Sequence, residues 1–345
     1  MFCGKNGRWR LAMCFLMLVV FLSGCMVMNT ADLLSLPRLL PDHADILKIV
    51  NDVTSGSNWT TTSPQSGTNR SPVQLVDLYQ DGIPEAIVFL SNSIDVQLQV
   101  MILSKTGESK YTPLTSYTLN AVSFERVEYA DVNGDGILEM IIGQSFGAKS
   151  NYTATVYTLV NDEPVAVLTN APYTSLYVHD LNGDEKGELL LLNHDETGNN
   201  AYAELFGLNP GDSAMQPLGR APLSAGVRAP SKIVGGRLNE EMPAVIVDGY
   251  STAAQGMVSD VLILTEEGLV NISFDAIYNF SYTGRARMVH AMDVDFDGFL
   301  EIPKAVPMPQ PQKVDVEPDT YLFWFAYDKS ADIFRHAVTY QAHAD

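Results

Sequence analysis

The chain predicts an all-β fold, on three observations. A nine-residue acidic pattern recurs at long, regular spacing. Short β-branched apolar runs fill the intervals. No long amphipathic helix follows the first seventy or so residues. The pattern reads Asp131-Val132-Asn133-Gly134-Asp135-Gly136-Ile137-Leu138-Glu139 and again Asp293-Val294-Asp295-Phe296-Asp297-Gly298-Phe299-Leu300-Glu301. A third copy, Asp180 to Glu188, has Glu185 in place of the glycine, and a fourth, Asp77 to Glu85, has Tyr79 at its third position. The interval from Asp180 to Asp293 is about two periods, and a degenerate copy lies midway. It begins at Gly236, keeps Pro243 and the apolar run after it, and has Ala244 where the last acid should stand. Spacings of 54, 49, 56 and 57 residues then give five modules, at 70–120, 121–170, 171–226, 227–280 and 281–345. Each module reads as four short strands. In the second, Val122 to Tyr129 leads into the acidic loop, and Glu139 to Gly143 leaves it. Thr153 to Val160 and Pro164 to Thr169 complete the set. Four short strands repeated at about this period are the pattern of a β-propeller of about five four-stranded blades. A parallel α/β fold would need crossover helices, which the sequence lacks.

The first module is preceded by a different kind of sequence. Lys5, Arg8 and Arg10 open the chain, and Leu11 to Leu22 is apolar but short of the roughly 20 residues a spanning helix needs. Residues 1–24 therefore read as a signal peptide. Leu22-Ser23-Gly24-Cys25 resembles the lipobox of bacterial lipoproteins, which implies cleavage before Cys25 and lipid on its sulfur. An ordinary secretory peptide or membrane anchor with a chance cysteine is the alternative. Residues 25–69 read as a tether. Pro37 and Pro41 interrupt an apolar stretch, Asp42 to Asp45 caps a short helix through Val50, and residues 54–71 are rich in Ser, Thr, Asn, Gly and Pro. The lipid would hold the chain to the extracytoplasmic face of a cell membrane, with the repeats outside.

Composition narrows the partners. The net charge is −20, and residues 1–24 contribute bases and no acids, so the remainder is more negative still. Nucleic acid is excluded as a partner, because phosphate contact needs clustered Lys and Arg. No cysteine follows Cys25, so stability must come from core packing and bound metal rather than disulfides.

The modules resemble FG-GAP or VCBS repeats, the blades of integrin α-subunit propellers and of many bacterial surface proteins. Ala130 to Gly136, Met292 to Gly298, Val178 to Asp184 and the run Phe146-Gly147-Ala148 carry the likeness. It covers about four-fifths of the chain and, with the lipobox, implies a repeat lipoprotein of Gram-positive bacteria. Such propellers commonly have seven blades, so five pose a question of closure. Either a strand from residues 46–76 completes the last blade, or the ring is incomplete; closure is the favoured expectation.

Oxygen-bearing side chains at positions one, three, five and nine are what Ca2+ requires. The expected ligands are Asp131, Asn133, Asp135, Glu139 and the carbonyl of Ile137; Asp180, Asn182, Asp184, Glu188 and the carbonyl of Lys186; and Asp293, Asp295, Asp297, Glu301 and the carbonyl of Phe299. Asp77, Asp81 and Glu85 form a poorer set, because Tyr79 cannot ligate as Asp or Asn does. An EF-hand is excluded, since its twelfth position would be Ile142, inside an apolar strand. The alternative is an Asp/Asn/Gly turn that needs no ion.

Enzyme signals are weak. Gly143-Gln144-Ser145-Phe146-Gly147 matches the G-x-S-x-G elbow, but that motif works where a strand turns into a helix, and here another strand follows. The six histidines show no zinc spacing. The leading expectation is a non-enzymatic binding or adhesion module for a protein or carbohydrate, stiffened by calcium. A polysaccharide-acting enzyme or accessory with a site in the channel, and a purely structural envelope module, stand as alternatives.

Overall fold

The computed structural model describes residues 41–108, 110–147, 152–195, 197–209, 211–307, 320–328 and 333–338. The expected signal peptide and Cys25, residues 308–319 and the last seven residues lie outside them. The described chain is all-β apart from one helix, α1 (Pro41–Thr54).

The strands form successive antiparallel sheets. The first contains β1 (Trp59–Thr61), β2 (Val73–Val76), β3 (Glu85–Asn92), β4 (Gln97–Gly107) and β5 (Lys110–Leu119). The second runs β6 (Ser123–Ala130), β7 (Glu139–Ser145), β8 (Tyr152–Val160) and β9 (Glu163–Tyr173). The third runs β10 (Ser175–His179), β11 (Glu188–Asn193), β12 (Tyr202–Gly207) and β13 (Gln216–Pro222). The fourth runs β14 (Val227–Asn239), β15 (Met242–Ser251), β16 (Gly256–Thr265) and β17 (Gly268–Asn271). A small pair, β18 (Phe274–Asp275) and β19 (Phe280–Ser281), precedes the last sheet of β20 (Ile302–Pro307), β21 (Thr320–Asp328) and β22 (Ile333–Val338).

One register repeats. The ninth-position acid closes the first hairpin of its sheet, as Val76↔Glu85, Ala130↔Glu139 and His179↔Glu188. In the last module an isolated bridge, Met292↔Glu301, keeps the same pairing. In the fourth sheet the ladder continues through Gly236↔Ala244 to Asn239↔Met242, so Glu240 and Glu241 form a tight turn where the others carry a nonapeptide loop.

Strand alternation explains how the sheets stack. In a strand, neighbouring side chains point to opposite faces. On β11, Leu189 and Leu191 pack against the second sheet, while Leu190 and Leu192 pack against the fourth. On β7, Met140 and Ile142 face the first sheet and Ile141 faces the third. On β15, Val245 and Val247 face the third sheet, and Ala244 and Ile246 face the last. A strand buried on both faces must be apolar throughout, which is why these runs show no polar alternation. Each fully buried leucine of β11 contributes on the order of 1.5–3 kcal/mol.

Two expectations are corrected here. Residues 41–69 are not a free tether. Ile46 and Val50 of α1 are buried against Ala86, Val88, Leu90, Met101 and Leu103, on the face of the first sheet that has no preceding sheet. Trp59–Thr61 pairs with Leu90–Asn92, and Gln65 and Ser66 donate backbone hydrogen bonds to the carbonyls of Phe124 and Glu125 on the free edge of β6. A covered edge cannot template pairing with another chain. Nor does a strand from residues 46–76 complete the last sheet. Both β1 and β2 pair with β3, and α1 occupies the face that ring closure would use. Among the described residues no helix is long and apolar enough to cross a membrane.

Candidate metal centre and ligand cleft

The four acidic loops share one hydrogen-bond frame. The first Asp accepts backbone N–H groups from within its own loop: Asp81 and Gly82 at Asp77, Gly134 and Gly136 at Asp131, Gly183 and Glu185 at Asp180, Asp297 and Gly298 at Asp293. The fifth-position Asp accepts the N–H two residues on, at 2.8 to 3.1 Å in all four. Positive φ at Gly134 (77°) and Gly136 (82°) permits the turn.

The ninth-position Glu has a role that sequence reasoning missed. It is buried beneath the loop and accepts the backbone N–H of the second loop residue: Glu85 from Leu78 at 3.0 Å, Glu139 from Val132 at 2.8 Å, Glu188 from Leu181 at 2.7 Å and Glu301 from Val294 at 2.8 Å. Burial pushes the carboxyls of Glu139, Glu188 and Glu301 up to about 7, although those N–H groups pull the other way. The glutamate therefore ties the loop to the strand. The signal was available in its position, one residue ahead of a wholly buried apolar run.

The third position separates the loops. Asn133 and Asn182 each donate their side-chain amide to the same glutamate, at 3.0 and 2.8 Å. Asn133 also donates to Asp135, and Lys186 Nζ lies 3.0 Å from Asp184. Tyr79 donates its hydroxyl to Asp162 of the second sheet at 2.7 Å, so this position clasps two modules. Asp295 can donate nothing. Asp293, Asp295 and Asp297 consequently bring three carboxylate oxygens within 4.8 Å of one another, the one such group among the described residues. Donors on opposite sides of a Ca2+ ion at about 2.4 Å stand about 4.8 Å apart, so this set fits the ion. The Ile137, Lys186 and Phe299 positions donate their backbone N–H groups to the fifth-position Asp, leaving their carbonyls as the expected further donors.

The fourth module has no acidic loop and holds itself differently. Asp248 is buried and accepts Arg285 Nη2 at 2.9 Å, the Ala291 N–H at 2.8 Å and the Ser259 hydroxyl. His290 Nδ1 stands 3.3 Å from its second oxygen. Asp260, next along, accepts Ser224 through both N–H and hydroxyl and Asn271 through its amide. Burial pushes the Asp260 carboxyl up to about 6 despite those bonds.

A cleft of about 410 Å³ lies between the first strands of the second and third sheets, lined by Arg126, Glu128, Tyr129 and Tyr177. Burial raises Glu128, against the lowering effect of Arg126. Glu125, at a bulge of β6, is occupied by the hydroxyls of Ser66 and Tyr173. The G-x-S-x-G serine, Ser145, is buried in β7, and Ser123 and Tyr152 stand opposite it in the ladder; its hydroxyl accepts the Gly147 N–H at 3.4 Å. His194 is buried, and burial lowers it to about 4; His179 rests on Gly235 and Gly236 of the next sheet.

No protein-family profile matches the chain, and no curated protein does. Among solved structures it is similar to a protein from Lactobacillus plantarum determined by a structural genomics consortium. The two share 12% identity over 79% of this chain and 72% of that one, with a TM-score of 0.35. That score is too low to carry a fold or a function across.

Proposed function

We propose that the chain is an extracytoplasmic, lipid-anchored binding module of propeller-type sheets, with Ca2+ held at the Asp293 loop. The observation that carries the calcium reading is the convergence of Asp293, Asp295 and Asp297 without an amide or ammonium partner of the kind the Asp131 and Asp180 loops have. Three like charges in one turn repel, and a dication converts that repulsion into attraction. The Asp131 and Asp180 loops share the frame and are secondary sites, because neutral Asn133 and Asn182 stand where the Asp293 loop has a third carboxylate, Asp295. The Asp77 loop is the weakest, with Tyr79 committed elsewhere. Bound ions would be structural and stiffen the loops. The anchor reading rests on Leu22–Cys25 in the sequence.

Titration with CaCl2 after EDTA treatment tests the proposal. Ca2+ raises the melting temperature by several degrees, and Asp295→Asn removes most of the rise. An identical melting curve with and without Ca2+, with no calcium found by elemental analysis, sinks the metal reading.

A further inference from the structure

A second cavity, of about 330 Å³, opens between the first and second sheets, at the end of β7 away from the acidic loop. Small-molecule sites span about 300–1,000 Å³. Its chemistry follows from the strands that line it. The face of β7 turned to the first sheet begins with Met140 and Ile142, which belong to the shared core, and continues with Gln144 and Phe146, which line the cavity. On β8 the same face passes from Leu159 through Tyr157 to Thr155. The interface thus turns from apolar to polar as the two sheets part.

The polar groups are built in. Gln144 and Thr155 are both buried. Gln144 Nε2 donates to Thr155 Oγ1 at 2.8 Å, and the same oxygen accepts the Asn170 N–H at 3.3 Å. Thr153, which also lines the cavity, has a buried hydroxyl oxygen with no hydrogen-bond partner among the described residues. The backbone of β9 shifts register opposite Thr155, and Asn170 takes φ 52° there, at the cavity. Asn120 stands on the opposite wall. Phe146 is 48% exposed, and Tyr157 packs on Tyr117 at 4.5 Å.

What this lining excludes is as informative. No Lys, Arg, His, Asp or Glu lines it among the described residues, in a chain whose charge is −20. Among the described residues an anion finds no counter-charge there, and a cation finds no carboxylate. A purely apolar ligand would leave the buried Thr153 hydroxyl without a partner, at a cost of about 1–3 kcal/mol. Paired carboxamides and hydroxyls beside an aromatic ring suit a molecule that donates and accepts at once and has an apolar face.

We propose that this cavity binds a neutral saccharide. The inference deepens the binding-module reading and rests on it, but it requires neither the calcium site nor the lipid. Phe146 takes the C–H face of the sugar ring, and Gln144, Thr155, Asn120 and Asn170 take its hydroxyls.

The test is calorimetric titration of the full-length chain in detergent with maltotriose, cellotriose, tri-N-acetylchitotriose and, as acidic control, trigalacturonate. At least one neutral trisaccharide binds, in EDTA as well as in Ca2+, and trigalacturonate does not. Phe146→Ala weakens the binding about tenfold or more, and Asn120→Ala a few-fold, with melting temperatures unchanged. Ile94→Ser, in an exposed turn, binds as the parent does. Failure of all three neutral sugars to bind overturns the proposal, as does equal binding of trigalacturonate. Neutral binding that survives Phe146→Ala overturns the site while leaving the binding-module reading intact.

Discussion

The second and fourth sheets secure their first hairpins by opposite means. In the second, the Asp131 loop closes on itself, and Glu139 reaches back only seven residues to Val132. In the fourth, the loop has shrunk to a two-residue turn, and the polar anchoring has moved into the interior. There Asp248 collects partners 11, 37 and 43 residues away. The side-chain frame of this loop is mostly local, while its backbone meets the adjacent loops, where the Leu138 N–H donates to the Leu78 carbonyl and the Asp131 carbonyl accepts the Gly187 N–H. A long-range buried pair binds the fourth module to the segment entering the fifth, and neither partner is stable without the other. The same task, fixing where one strand ends and the next begins, is thus met once by short-range acceptors of the loop, with Glu139 buried beneath it, and once by a desolvated ion pair.

The comparison can be broken at several points. Arg285→Met leaves Asp248 charged in the interior without its counter-ion and costs about 3–5 kcal/mol, read from the denaturant midpoint. The double variant Asp248→Leu with Arg285→Met should recover part of that loss; no recovery means the pair holds more than itself. Glu139→Ala strands the Val132 N–H and the Asn133 amide and costs about 1–3 kcal/mol. Glu139→Gln costs less, since its carbonyl still accepts one bond.

Acidity sharpens the contrast. The folded Asp260 carboxyl, at about 6, lies above its ordinary value of 3.8, so the folded state holds the proton more tightly than the unfolded one. Its contribution is therefore full below the ordinary value and is lost as pH rises through about 6. Between pH 7 and pH 5 the parent should gain on the order of 1 kcal/mol relative to Asp260→Asn, in EDTA. A parallel pH dependence in the two proteins contradicts that assignment. The smallest effect belongs to Asp295→Asn without calcium. Removal of one of three converging charges stabilises by up to about 1 kcal/mol. A clear destabilisation in EDTA would show that Asp295 acts through hydrogen bonds instead.

How much the sequence disclosed follows the same division. The acidic loops were legible because Asp, Asn, Gly and Glu recur at fixed short offsets, and those offsets are the hydrogen bonds. The strand order within each sheet was legible because neighbouring strands pair. The degenerate copy at Gly236 is legible from its spacing, from Pro243 and from the apolar run after it, and the structure gives it a hairpin. The Asp248–Arg285 pair left no trace, since nothing in the local sequence marks two residues 37 apart as partners. The Ser/Thr/Asn/Gly stretch before residue 70 reads as linker by composition, yet its backbone pairs with β3 and β6. Its apolar content is too low to announce packing, and its contacts are made by main-chain groups that composition does not encode. The nonapeptide spacing marks the Glu139 carboxylate but does not encode its depth beneath the loop.

Helix α1 sets an order of assembly. The helix and the first sheet come from one contiguous stretch, residues 41–119, so the leading portion of the chain can cover one broad face of that sheet with its own residues. The opposite face then offers a prepared apolar surface to the second sheet, and so on along the chain. Each layer thus packs on the one that immediately precedes it in the chain. A chain delivered N-terminus first would therefore build each layer on a finished one, and would never need to wait for its far end to hide its beginning.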